Sequence, residues 1–236
     1  MARDEFHKQL SELLNKVLVM GSLVDRALDK GMQSLVERDA ELAQTVIEGD
    51  AVIDELNYEV QDEVLRLLAL EAPLAKDLRV IVSVSSVMID LERMGDHAEG
   101  IARLTVVMQD EPLVKPLIDL PIMASKARDM LRNAVEAFVD ADPEKAYAVN
   151  AADDEVDDLY DRVYEELIGI MVDDPTTILP ATHLQWVSHN IERIADRATN
   201  IAERAVYSAT GVYLSLIHIR RCRRIEMCRY RWSPYH

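Results

Sequence analysis

The sequence predicts an all-α protein made of two tandem three-helix bundles that are related by internal duplication. Long segments repeat apolar residues at the i, i+3, i+4, i+7 spacing of a helix with one buried face. Helix-breaking residues are sparse, with seven glycines and eight prolines among 236 residues, and no strand-like alternation or low-complexity segment interrupts the pattern. A motif in the third segment also returns one hundred residues later in the sixth.

The first half contains three predicted helices joined by short turns. Asp39 follows the first helix and is suited to cap the second. Ala72-Pro73 ends the second helix, because proline disfavours the helical conformation of the residue before it. Two prolines then mark a linker after the third helix. The predicted helices cover residues 4–37, from the Asp39 cap to about 71, and 74–109, and the linker covers 110–116.

The second half repeats this plan. Asp142 followed by Pro143 predicts a capped helix start at an offset of 103 from Asp39, and Asp173-Asp174-Pro175 predicts the next break. Helices of about 30 residues with short turns pack as antiparallel neighbours. The predicted helices cover residues 117–141, from the Asp142 cap to about 172, and 177–209, so that the two bundles occupy residues 1–110 and 111–213.

The duplicated motif places two carboxylates one helical turn apart, beside the apolar stripe. Residues four apart lie on the same side of a helix. The first copy carries Glu92 and Asp96 and the second carries Glu192 and Asp196. The two copies read Asp90-Leu-Glu-Arg-Met-Gly-Asp-His-Ala-Glu-Gly-Ile-Ala-Arg103 and Asn190-Ile-Glu-Arg-Ile-Ala-Asp-Arg-Ala-Thr-Asn-Ile-Ala-Glu203.

A second acidic pair is predicted on the second helix of each half. Asp50 and Asp54 form it in the first half, and Asp153 and Asp157 form it 103 residues later. Chance alone would give about eight acidic pairs at this spacing in so acidic a chain. The informative observation is therefore the equivalence of the pairs between the two halves.

Like charges one turn apart destabilise a helix, so a cation should offset them. Two sources remain open: Arg93 and Arg193 within the motifs, or a bound metal ion. Oxygen ligands suit hard ions such as Mg²⁺, Ca²⁺, Mn²⁺ or iron. A solvated, salt-bridged surface is the alternative to metal binding. The Glu-x-x-His spacing of ferritin-like di-iron bundles is absent from the sequence, which argues against an oxygen-activating enzyme.

Three further residues of the motif helices have simpler interpretations. His97 is replaced by Arg197 in the second copy, which favours a hydrogen-bonding or neutral surface role over metal ligation. Gly95 and its equivalent Ala195 indicate close helix packing. Trp186 is expected to be a core or interface aromatic residue.

The last residues differ in composition from the rest. Residues 214–236 hold six arginines and both cysteines, and we expect them to be translated adaptor sequence joined to a truncated gene. A genuine basic tail for a membrane surface or nucleic acid is the alternative. Without this segment, Lys+Arg falls from 26 to 20 and Asp+Glu from 43 to 42, so the net charge changes from −17 to −22.

The acidic composition argues against nucleic-acid binding and favours cations or basic partner surfaces. The charged N-terminus does not resemble a signal peptide, and no segment has 18 consecutive apolar residues, so neither a leader nor a membrane span is expected. The absence of cysteine from residues 1–213 excludes a thiolate metal site there. A bacterial-type cytoplasm is the predicted location.

The pattern Asn/Asp-x-Glu-Arg-x-x-Asp-x-Ala-x-x-Ile-Ala, present twice in a six-helix duplication, closely resembles the PhoU family of phosphate-signalling proteins. The resemblance extends over residues 4–213. It implies a frequently dimeric protein that holds metal ions or iron clusters on its face through Glu/Asp-x-x-x-Asp pairs, with Mg, Mn, Fe, Ca and Zn all open. The matching positions are Asp50, Asp54, Glu92, Asp96, Asp153, Asp157, Glu192 and Asp196.

The resemblance also implies a function. The family negatively regulates phosphate uptake and the phosphate-starvation response, as an adaptor between the ATPase subunit of a phosphate ABC transporter and a sensor histidine kinase. We therefore expect a cytoplasmic homodimer that reaches the inner membrane through its partners and is not an enzyme. Two alternatives stay open: a carboxylate-bridged metalloenzyme of hydrolase or redox type, and a metal-free structural bundle.

Overall fold

The computed structural model describes residues 2–212 and consists there of six α-helices and one short 3₁₀ turn, without β-strands. The predicted adaptor-like segment 214–236 lies outside the described residues. The connection between the halves runs from residue 108 to 118 and contains the predicted linker. The helices are α1 (Ala2–Glu37), α2 (Ala40–Glu71), α3 (Ala75–Val107), α4 (Asp119–Val139), α5 (Pro143–Asp173) and α6 (Ile178–Thr210), with the 3₁₀ turn at Pro175–Thr177.

The helix ends follow the predicted capping residues. The Asp39 carboxylate accepts a hydrogen bond from the backbone N–H of Leu42 at 2.9 Å and caps α2. Asp142 caps α5 in the same way, and Pro143 occupies the first helical turn. Gly211 ends α6 at a φ of 78°, a left-handed conformation that glycine adopts without steric cost. The two N-caps confirm that the same local signal starts the second helix of each half.

Each half is a three-helix bundle, as the duplication predicted. Helix α2 packs on α1 and α3, and α5 packs on α4 and α6. The two bundles meet through α1 with α4 and through α3 with α6. One continuous apolar core runs through both halves and contains residues of all six helices. The predicted fold class is therefore confirmed.

Equivalent residues meet across the contact between the halves. Arg128 of α4 donates to Asp25 of α1 at 2.8 Å, and these two positions are 103 residues apart, which is the repeat offset. On α3 and α6, residue 90 contacts residue 197 and residue 97 contacts residue 190. The residue numbers in these contacts increase along α3 as they decrease along α6, so the two helices run antiparallel. A pseudo-twofold axis relates them. None of the helices in the described range is long and apolar enough to cross a membrane.

Candidate metal-binding face

The first carboxylate cluster lies where α2 packs closely on α3. A Cβ atom at Gly95 would lie 3.1 Å from Asp50 Oδ1 and 3.1 Å from Ile53 Cδ1. The absence of a side chain at Gly95 therefore lets α2 approach α3 and places Asp50 beside the motif. This contact confirms the close-packing interpretation of Gly95.

The electrostatics of Asp50 show which carboxylates gather there. Burial, followed by the negative charges of its neighbours, raises the pKa of Asp50 to about 6. Burial also raises the pKa of Glu92, and Asp96 raises it further. The structure thus brings together all four residues predicted in the first half and adds Glu99. The carboxylates that act on Asp50 are Glu99, Asp54, Asp96 and Glu92.

The second cluster lies at the equivalent place between α5 and α6. Burial raises the pKa of Asp157 to about 6, and the carboxylate of Asp196 is the next contributor. Asp153 is buried one turn before Asp157 on α5. Glu192 lies one turn before Asp196 on α6 and close enough to Tyr160 of α5 to raise the pKa of that phenol, after burial. The predicted residues of the second half therefore share one interhelical face.

Both clusters also hold carboxylates outside the four predicted pairs: Glu99 in the first, and Asp154, Asp158 and Asp161 in the second. Glu99 lies three residues after Asp96 and extends the acidic face by one turn, and Arg103 donates a hydrogen bond to it. Its equivalent in the second half is Thr199, whose hydroxyl donates to the backbone oxygen of Asp196 at 2.7 Å. The i, i+4, i+7 spacing of Glu92, Asp96 and Glu99 carried the signal. Glu99 was not predicted because only acidic residues present in both halves were considered, and its equivalent Thr199 is not acidic.

The arginines of the motifs do pair with the acidic residues. Arg93 lies 3.5 Å from Glu92 and 3.4 Å from Asp96, at the exposed edge of the first cluster. Arg193 lies 2.9 Å from Asp196 in the second cluster. Exposed ion pairs of this kind stabilise a protein by at most about 1 kcal/mol. Beside these pairs the pKa values of Asp50 and Asp157 are still raised, by burial first and by neighbouring carboxylates next.

The donor set fits a hard cation, although the geometry is open. Carboxylate oxygens from two adjacent helices are the ligands that Mg²⁺, Mn²⁺, Ca²⁺ and iron accept. Among residues 2–212, no three His, Cys, Asp or Glu side chains converge closely enough to hold a metal ion. Coordination would require the carboxylates of each cluster to move closer together, which the partly exposed ones can do by rotation.

The contact between α3 and α6 orders the two clusters relative to each other. His97 Nδ1 and Asn190 Oδ1 are 2.9 Å apart, and Arg197 donates to Asp90 at 3.0 Å. Burial lowers the pKa of His97, so its ring is neutral at pH 7. The hydrogen-bonding role predicted for His97 is confirmed.

Trp186 does not occupy the core. Its side chain is 55% exposed on α6, whereas Leu184, Val187 and Ile191 form the buried stripe of that helix. Of the two positions expected for Trp186, the core is wrong because residue 186 is out of phase with this stripe, and the interface stays a prediction. Trp186 lies beside the second cluster, in edge contact with His189.

Comparison with known proteins identifies similar chains. A family model described as "PhoU domain" matches residues 17–105 and again residues 120–205. The chain is 35% identical over 217 residues to a "Phosphate-specific transport system accessory protein PhoU homolog" of Clostridium acetobutylicum, which covers 92% of this chain and 99% of the relative. A protein of the same description from Aquifex aeolicus is 38% identical over 213 residues, covering 90% of this chain and 96% of the relative.

Solved structures are similar at the same level. The crystal structure of PhoU from Pseudomonas aeruginosa matches with a TM-score of 0.84 at 33% identity, covering 88% of this chain and 100% of that one. The structure of the phosphate transport system regulatory protein PhoU from Streptococcus pneumoniae matches with the same TM-score and identity, covering 89% of this chain and 100% of that one. Both similarities extend over the two bundles together.

Proposed function

The chain belongs to the PhoU family, and from this premise we propose that it negatively regulates phosphate uptake and the phosphate-starvation response. Its relatives are named as accessory or regulatory proteins of phosphate transport, so the coarse role is that of an accessory protein. The finer proposal is a metal-binding adaptor between the ATPase subunit of a phosphate ABC transporter and a sensor histidine kinase.

The observation that carries the proposal is the carboxylate cluster repeated at the same place on both bundles. Asp50 is the first member of its acidic pair and Asp157 the second member of the equivalent pair, and in both the pKa is raised to about 6, by burial first and neighbouring carboxylates next. A protein selected only for stability would not retain two such sites, because each makes the folded state less favourable at neutral pH. A surface that binds cations explains both sites.

The residues indicate how the adaptor would work. A bound hard cation would supply the positive charge that the acidic face lacks. Asp50, Asp54, Glu92 and Asp96 would tie α2 to α3 around it, and Asp153, Asp157, Glu192 and Asp196 would tie α5 to α6. The contact between α3 and α6 keeps the two faces in one orientation through Asp90–Arg197 and His97–Asn190. Partners would then meet a single rigid surface.

The charge of the chain suits such partners. Its net charge of −17 favours association with basic protein surfaces and repels nucleic acid. We place the protein in the cytoplasm, as a homodimer that reaches the inner membrane through the transporter. In this scheme phosphate itself is not the ligand of the acidic face.

A deletion strain tests the regulatory role. Loss of the gene should derepress an alkaline-phosphatase reporter in high phosphate, and the intact gene should restore repression. A gene with Glu92→Gln, Asp96→Asn, Glu192→Gln and Asp196→Asn should fail to restore repression although its product accumulates normally. Repression that persists in the deletion strain would refute the regulator proposal.

A metal-free adaptor is the second candidate, because the arginine pairs favour it. Arg93 and Arg193 already contact carboxylates of both clusters. If the fourfold variant restores repression and wild-type protein retains no metal after purification without chelator, regulation requires neither a metal ion nor these arginine pairs, and the acidic face is a solvated surface.

A further inference from the structure

An aromatic cavity lies on the second bundle beside its carboxylate cluster. It is lined by Tyr160, Gln185, Trp186 and His189 and has a volume of about 280 Å³. This volume lies just below the range of about 300–1,000 Å³ that small-molecule sites occupy. The cavity therefore suits one side chain rather than a cofactor.

The rings around this aromatic cavity are arranged as a partial box. Trp186 and His189 meet edge to face, with ring centroids 5.7 Å apart and planes at 78°. Tyr160 lies 6.4 Å from His189 on the other side, and Tyr164 stacks behind Tyr160 at 6.4 Å. Rings that face a shared space at these angles are the arrangement that receives a cation through its attraction to aromatic faces.

The fold does not require this box, because the first bundle lacks it. The equivalents of Tyr160 and Tyr164 are Asn57 and Gln61 at the repeat offset of 103. The equivalents of Trp186 and His189 are Ser86 and Ile89 at the offset of 100, and that of Gln185 is Ser85. There Gln61 donates to Asn57 at 3.2 Å and exchanges hydrogen bonds with Ser85. Polar side chains thus fill the place that the second bundle leaves open.

The charges around the aromatic cavity favour a positive ligand. Glu192 Oε2 lies 3.8 Å from His189 Nδ1, and Asp161 and Glu192 both act on the Tyr160 phenol. Arg193, whose charge acts on His189, is engaged by Asp196 at 2.9 Å.

We propose that the aromatic cavity receives the guanidinium group of an arginine on a partner protein. A guanidinium is planar and weakly hydrated, so it can stack on Trp186 or Tyr160, while the nearby carboxylate of Glu192 supplies negative charge. Arginine with tryptophan and tyrosine is also the combination that dominates binding energy at protein interfaces. A second copy of this acidic chain is a poorer occupant, since its surface carries the same negative charge.

A peptide titration tests the cavity without any partner. The probe is a capped pentapeptide with one central arginine, compared with the same peptide carrying citrulline or lysine. The signal is the indole ¹H–¹⁵N resonance of Trp186, assigned with Trp186→Phe. The arginine peptide should shift it saturably, the neutral citrulline peptide should not, and the lysine peptide should bind more weakly. No shift, or equal responses to arginine and citrulline or to arginine and lysine, would overturn the proposal.

Two matched tyrosine variants test whether the shift of the Trp186 resonance arises from peptide binding in the aromatic cavity. Tyr160→Asn introduces the residue found at the equivalent position of the first bundle and should weaken arginine-peptide binding by about tenfold. Tyr147→Asn removes an exposed tyrosine of the same helix outside the cavity and should leave binding unchanged. Equal weakening by both variants would contradict the assignment. So would a change from dimer to monomer on Trp186→Ser, because a second copy would then be the occupant.

A final experiment rests on the proposed function and distinguishes failure of the cavity proposal from failure of the adaptor function. Binding of the transporter ATPase subunit and of the kinase is measured with wild type, Tyr160→Asn and Tyr147→Asn. Loss of either complex in Tyr160→Asn alone would make that protein the source of the arginine. If both complexes survive Tyr160→Asn, the cavity is not their docking site and the proposal fails while the adaptor function stands. If wild type binds neither, the adaptor function fails, and the peptide titration still decides the cavity.

Discussion

Replacing Asp50 by Asn should stabilise the protein when metal is absent. The raised pKa of Asp50, about 6 against an ordinary 3.8, means that its ionised form is disfavoured in the folded state. A shift of about 2 units would correspond to about 3 kcal/mol for a fully buried group. Because this carboxylate is only partly buried, solvent screening reduces the expected gain for Asp50→Asn to about 1 kcal/mol at pH 7.

The pH dependence fixes the sign of this effect. Below the unfolded pKa of 3.8, Asp50 is protonated in both states and costs no stability. The cost develops as the pH rises from about 4 to about 6 and is complete above the folded pKa. The free-energy difference between Asp50→Asn and wild type should therefore be near zero at about pH 4 and largest at pH 7.

Urea unfolding followed by circular dichroism measures this difference in the presence of a chelator. Asp62→Asn is the control, since it removes an exposed carboxylate of α2 away from the cluster and should change the unfolding free energy little at either pH. With excess Mn²⁺, wild type should gain more stability than Asp50→Asn, because the variant has lost a ligand. A variant less stable than wild type at pH 7 in chelator would refute the electrostatic reasoning.

Three further substitutions test the packing and caps that position the clusters. Arg197→Ala should lower the unfolding free energy by roughly 2–4 kcal/mol, because it leaves the mostly buried Asp90 with the hydrogen bond from Asn200 but without its guanidinium partner; a loss below about 1 kcal/mol in urea unfolding would contradict this. Gly95→Val should destabilise by about 1–3 kcal/mol and weaken Mn²⁺ binding, since the added atoms meet Asp50 and Ile53; unchanged binding in a calorimetric titration would show that Gly95 does not position the cluster. Asp142→Ala should lower the melting temperature in proportion to a loss of about 1 kcal/mol by removing the α5 N-cap, and an unchanged melting temperature would mean that Pro143 alone starts the helix.

Most of the fold follows from local signals in the sequence. The apolar period set the helices, and the caps at Asp39 and Asp142 set two of their starts, because both effects depend on residues within one or two turns. The contact between the two halves could not be predicted from the sequence. The ion pair of Asp25 with Arg128 joins residues that are distant in sequence, and nothing in either helix alone indicates its partner.

The candidate site was predicted only in outline. The duplication brought out the four acidic pairs, and the structure gathers the pairs of each half on one interhelical face. The same reasoning hid what the halves do not share: Glu99 in the first cluster and the aromatic cavity around Trp186 in the second. Comparison of the two repeats detects only residues that both copies share. Residues that distinguish the copies become apparent only from the packing of the helices in the structure.

The central claim is that the repeated carboxylates bind a hard cation, and titration of Mn²⁺ into chelator-stripped protein tests it most directly. Wild type should bind saturably, with at least one site in each bundle. The folded variant carrying Glu92→Gln, Asp96→Asn, Glu192→Gln and Asp196→Asn should lose that binding. Absence of binding by wild type, or equal binding by the variant, would contradict the claim.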